Sequence, residues 1–77
     1  MGGWDDVVVV IEDAVVVAKT NLAILCEAER LEDLDEKDRW IPFSQIDFSS
    51  EINRKSKKGD TGYLIISSWI AEQKGID

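Results

Sequence analysis

Cys26 is the only thiol in the sequence, and there is no histidine. A thiol becomes a nucleophile or a metal ligand when a neighbouring base or cation draws off its proton. Cys26 closes the apolar run Leu22–Ala23–Ile24–Leu25–Cys26, where such a partner is missing and a small buried hydrophobe is expected. A lone cysteine closes no intramolecular disulfide, and zinc sites need several Cys or His ligands. Catalytic triads of the Ser-His or Cys-His kind need the imidazole that this chain lacks. The remaining groups able to move a proton are carboxylates, in the pairs Asp5-Asp6, Glu32-Asp33 and Asp35-Glu36. Paired carboxylates act as acid and base when burial separates their pKa values. Adjacent carboxylates on a polar connection stay solvated and ionised together. There is no phosphate-binding glycine loop and no calcium-loop spacing. A non-enzymatic protein without cofactor or metal is expected.

Charge is the stronger signal. The formal net charge is −7, and it is unevenly spread. Residues 27–38 (EAERLEDLDEKD) hold seven acids and two bases, whereas residues 54–58 (RKSKK) hold four bases and no acid. An acidic surface repels bare phosphate backbones and attracts the basic surfaces of proteins that bind them. Glu32, Asp33, Asp35 and Glu36 are therefore expected to meet the basic surface of a partner protein, in the manner of a phosphate-backbone mimic. The alternative partner is nucleic acid, with Arg54, Lys55, Lys57 and Lys58 gripping phosphates and aromatic residues stacking on bases. Trp4, ahead of the first strand, is a candidate for a partner contact. Trp40 and Trp69 are expected to be anchors of the core, because a small core needs large side chains.

The elements that position these groups read as mostly β. Valine-rich residues 7–18 suit a pleated strand, and Glu12-Asp13 interrupts the run as a bulge or sharp bend. Lys19-Thr20-Asn21 makes a turn, with Asn21 suited to a left-handed conformation. Leu22–Glu27 returns as the second strand of a hairpin. Residues 28–38 form an acidic, solvated connection in which Leu31 and Leu34 allow one short helical turn. A third strand covers residues 39–41 and stops at Pro42. A tight turn from Phe43 to Ile46 leads to a weak fourth strand over residues 47–52. A basic loop ending in Gly59-Asp60 precedes a last strand, Tyr63–Ile66. Ser67-Ser68 caps a two-turn helix that Gly75 ends, with Ile76 folding back on Ile70 or Ala71. The expected architecture is one domain, residues 1–77, mostly β: a small five-stranded SH3-like or OB-like barrel, or a twisted antiparallel sheet, with one short C-terminal helix.

Val7, Val8, Val9 and Val10 do not alternate with polar residues. A sheet with one wet face should alternate, and one short helix covers little of a second face. An oligomer interface through these valines is expected, with a dimer favoured. No basic start of a signal peptide and no apolar run of membrane-spanning length is visible. A cytosolic protein with no membrane partner is the expectation.

Three strings carry a resemblance: AVVVAKTNLAILCEAE, RWIPFSQI and GDTGYLIISSWIAEQKG. With Ala23 and Leu25, Trp40-Ile41-Pro42, Ser44-Gln45-Ile46, Gly59-Asp60, Gly62, Leu64, Trp69, Ala71, Lys74 and Gly75, the chain resembles a group of small β-barrel-like proteins encoded by phages and prophages. The match spans roughly residues 14–75, and the Val7–Ile11 strand and the long acidic connection depart from the group's pattern. The resemblance implies a phage origin and a fold, and no activity comes with it. Joined to the acidic charge, it suggests an inhibitor of a host defence complex, comparable to anti-CRISPR proteins, acting in the host cytosol.

Overall fold

Twelve residues, Val8–Lys19, form one long strand, β1, because branched valine and isoleucine side chains pack well on a pleated surface. The computed structural model describes residues 8–76. Trp4 and Val7, both singled out from the sequence, lie outside the described residues. The other elements are β2 (Ala23–Glu27), β3 (Trp40–Pro42), β4 (Thr61–Ser67) and helix α1 (Ser68–Lys74). They make an antiparallel four-stranded sheet in the order β3-β2-β1-β4.

β1 is bulged where its acidic pair interrupts the apolar run. Its register against β4 passes from Ile11↔Leu64 to Ala14↔Gly62, three steps on one strand against two on the other. Asp13 takes up the extra residue at φ 55, a left-handed conformation that Asp tolerates far better than valine does. A second irregularity falls at Val17, between Val16↔Cys26 and Ala18↔Leu25. Bulges bend and twist a strand, and the bent β1 pairs with β4 over Val8–Val15 and with β2 over Val15–Lys19. Val9 and Ile11 face the core, while Val8 and Val10 face outwards. The valine run is therefore an ordinary two-faced strand whose outer residues happen to be apolar.

The expected weak fourth strand over residues 47–52 does not form, and the sheet is open rather than a closed five-stranded barrel. After β3 and a 3₁₀ turn over Phe43–Gln45, only Ile46 bridges β4, at Ile66. Asp47 then turns the chain. Its carboxylate accepts the Ser49 N–H at 3.0 Å and the Ser49 hydroxyl, and its carbonyl accepts the Ser50 N–H. The two Ser49 contacts hold the Asp47 carboxyl below its ordinary pKa, the hydroxyl contributing most. Aspartate and serine offer the backbone such local partners in preference to a ladder. Side chains then serve the free edge of β4: Glu51 Oε1 accepts the Tyr63 N–H at 3.0 Å, and Ser50 Oγ accepts the Ile65 N–H at 2.9 Å.

Two turns differ from expectation in detail. The β1–β2 turn does not use a left-handed Asn21; among the described residues Asp13 alone, apart from glycines, has positive φ. Thr20 organises this turn, its Oγ1 accepting the N–H groups of Leu22 and Ala23, both at 3.2 Å. The helix ends follow the sequence closely. Ser67 Oγ accepts the Ile70 N–H, Gly75 sits at φ 77, and the N–H groups of Gly75 and Ile76 donate to the carbonyls of Glu72 and Ala71. This is the Schellman pattern, and Ile76 is buried in the same cluster as Ile70 and Ala71.

The core is aliphatic. Ile11, Ile24, Ile41, Leu64 and Ile66 are fully buried, with Leu31 and Ile52 closing it from the loops. The tryptophans are not its anchors. Trp69 is 55% exposed on α1, because the buried side of so short a helix is already taken by Ile70 and Ala71. Trp40 is half-buried, since only Ile41 of β3 points fully inward. Replacing a buried isoleucine by alanine typically costs about 2–5 kcal/mol, whereas an exposed side chain contributes far less. Urea denaturation of Ile41→Ala should show a drop of that size, and Trp69→Ala a shift of less than about 1 kcal/mol. A Trp69→Ala loss as large as that of Ile41→Ala would restore tryptophan as a core anchor.

Candidate functional site

The acidic connection is built, not loose. Residues 28–39 contain two 3₁₀ turns, Glu29–Leu31 and Glu36–Arg39, in place of the solvated hairpin loop expected from composition. Leu31 is 0% exposed, and burying a leucine contributes roughly 1.5–3 kcal/mol. Arg39 ties the other end: its Nε donates to the Leu34 carbonyl at 3.0 Å and its Nη2 to the Glu32 carbonyl at 3.3 Å. Its approach to the Glu27 carboxylate is longer, 3.9 Å. Hydrogen bonds from a charged donor contribute about 1.5–3 kcal/mol and surface ion pairs about 0–1, so the two carbonyls rather than Glu27 fix Arg39.

This connection lies beside β1 and leaves two adjoining grooves between them. One, of about 390 Å³, is lined by Asp13, Val15, Glu27, Ala28, Glu32 and Arg39. The other, of about 280 Å³, is lined by Val10, Glu12, Asp13, Glu29 and Arg30. Asp13 belongs to both, so the bulge is the point where the two meet. Together their walls present Glu12, Asp13, Glu27, Glu29 and Glu32 against Arg30 and Arg39.

Of the acidic residues expected to contact a partner, Glu32 lines this groove. Asp33, Asp35 and Glu36 are exposed but do not line it. Glu12, Asp13, Glu27 and Glu29 join the groove from β1, the end of β2 and the first 3₁₀ turn. Glu27 and Glu29 belong to the acidic stretch 27–38 already marked by its charge, whereas Glu12 and Asp13 were signalled only by their interruption of the valine run, as a bend rather than a site. Val8 and Val10, placed at an oligomer interface by the sequence, are partly exposed on the outer face; Val9 packs against the core.

The basic loop is partly engaged within the molecule. The Arg54 guanidinium stands 4.7 Å from the Phe43 ring centroid and donates to the Asn21 carbonyl at 3.2 Å. Its own carbonyl accepts Lys19 Nζ at 2.8 Å. Lys55, Lys57 and Lys58 are exposed. Phe48 is 98% exposed beside Asp47, and Leu22 is exposed at the hairpin tip.

Cys26 is fully buried in β2, and burial pushes its thiol pKa up to about 12. Among the described residues no group of three or more His, Cys, Asp or Glu side chains is arranged to hold a metal ion, and no helix is long and apolar enough to cross a membrane. Compared with protein-family models, curated proteins and solved structures, the chain matches none. The fold and groove define the class: an open antiparallel sheet with a fixed acidic groove along its longest strand.

The thiol gives a direct check on the packing. Cys26 should stay unreactive towards a disulfide reagent at pH 8 in the native protein and react fully in denaturant. The unfolded chain loses this proton near the ordinary thiol value of 9.0, and the folded chain only near about 12. Between those values the unfolded state binds fewer protons, so stability falls as pH rises. Replacing Cys26 by alanine should flatten that part of the stability-against-pH curve; an unchanged slope would exclude the thiol as its source.

Proposed function

We propose that this chain is a non-catalytic binding protein of phage type, which inhibits a host defence complex by occupying a basic surface with its acidic groove. The observation that supports it is the fixing of the groove walls by Leu31 and by the Arg39–carbonyl bonds. The backbone that carries these carboxylates is already held, so binding has little more than their side chains to order. In the partner's basic site it would compete with a phosphate backbone, whose charge it presents without the bases. The resemblance of the three sequence strings to phage-encoded proteins supports a host-cell target and a cytosolic setting.

The nucleic-acid alternative is less favoured. The Arg54 guanidinium is already engaged by Phe43 and Asn21, which leaves three lysines on a chain of net charge −7.

A nuclease-treated pull-down from host lysate tests the two readings together. A stoichiometric protein partner should survive the nuclease and be lost when Glu27, Glu29 and Glu32 are all changed to lysine. Its affinity should fall with added salt, since exposed charges are screened beyond about 8–10 Å near physiological ionic strength. Surface reversals of this kind shift stability by about 0.5 kcal/mol or less each, so the variant remains folded. Recovery of nucleic acid alone, lost on neutralising Lys55, Lys57 and Lys58 and strengthened by the acid-to-lysine reversal, would overturn the proposal.

A further inference from the structure

β2 does not reach the first half of β1. Pairing with β2 begins at Val15, while β4 lines the opposite side of β1 from Val8 onwards. In an antiparallel pair, alternate residues turn their N–H and C=O groups towards the neighbour. The Val10 carbonyl points away from β4, where it accepts the Arg30 guanidinium at 2.7 Å. Val8, two residues earlier, shares that orientation. Among the described residues no backbone group pairs with this edge. An unpaired edge is a template for another strand unless charge, a bulge or a cover blunts it. Here the Asp13 bulge ends the edge, and one arginine covers one carbonyl.

We infer that this edge of β1 accepts an extended, lysine- or arginine-rich segment of a partner protein as an added strand. Backbone groups of Val8 and Val10 supply the pairing, as in other cases of strand addition. The edge leads directly into the acidic groove, where Glu12, Asp13, Glu27, Glu29 and Glu32 outnumber Arg30 and Arg39. That excess selects a cationic strand. A second copy of this chain is the other natural occupant of an exposed edge, and the charge disfavours it. Each copy carries −7, and two such copies brought edge to edge repel one another. The inference deepens the protein-binding function proposed above and rests on it.

A short labelled peptide alternating valine and lysine is the probe, compared with a twin N-methylated on alternate amides. The twins share charge and side chains and differ in their ability to pair as strands. Fluorescence anisotropy should show the unmodified peptide binding about tenfold or more tightly, the equivalent of one or two hydrogen bonds. Amide exchange at Val8 and Val10 should slow only when that peptide is bound. Equal binding of the twins would overturn strand addition while leaving the acidic groove as a purely electrostatic site. Absence of binding by either peptide would also overturn it, whatever the host pull-down shows. A dimer in sedimentation with Val8 and Val10 already protected would make a second copy the occupant. Protection lost on deleting residues 1–6 would make it the chain's own N-terminal segment; either result refutes the inference.

Discussion

The bulge at Glu12-Asp13 lets one strand serve two neighbours, and most of the molecule follows from that. A straight strand of twelve residues would give β2 and β4 parallel tracks along a flat sheet. The extra residue, accommodated by Asp13 at φ 55, bends β1 so that Ile11 and Ala14 both remain fully buried across the break. Without it, the period of two would carry every later side chain to the wrong face. The same bend leaves the first half of β1 without β2 beside it, and the acidic connection faces that gap across the groove.

Loops complete what the strands begin. A chain this short buries a modest share of its surface, and Leu31, Phe43 and Ile52 enter the core from outside the sheet. Polar side chains do corresponding work at the edges. Ser50, Glu51 and Thr20 satisfy backbone groups that a longer ladder would have paired, and Asn53 Nδ2 donates to the Ser50 carbonyl. Among the described residues, no buried side-chain polar atom lacks a partner. The sheet stays open without leaving its β4 edge unsatisfied.

The groove shows why charge counts alone were only a partial guide to the site: Glu27, Glu29 and Glu32 of the acidic stretch line it, and Glu12 and Asp13 join from β1. Residues 33–36 carry three of the acids in the connection, yet they project into solvent, where screening is strong. The carboxylates that share the groove come from two stretches of sequence: Glu12 and Asp13 of β1, and Glu27, Glu29 and Glu32 from the end of β2 into the start of the connection. Arg30 and Arg39 belong to the same acidic stretch but act mainly through carbonyls, of Val10, Leu34 and Glu32. A basic residue in an acidic segment is here a strut.

Local chemistry was legible in the sequence wherever a single residue type decides a local conformation. The hairpin, the bulge, the stop at Pro42, the serine cap and the Gly75 ending all rest on backbone preferences that need no distant partner. Composition likewise marked Cys26 as a buried hydrophobe. What tertiary structure decided was competition between residues with the same preference. Isoleucines from four strands and a loop filled the core and left Trp69 outside, because the buried side of the short helix α1 is already taken by Ile70 and Ala71. Asp47 and Ser49 outbid a weak strand with a turn of their own, removing the expected barrel closure. Which carboxylates face one another depended on the angle of β1 at Asp13, and that angle emerges only when β2 and β4 pair with the same strand.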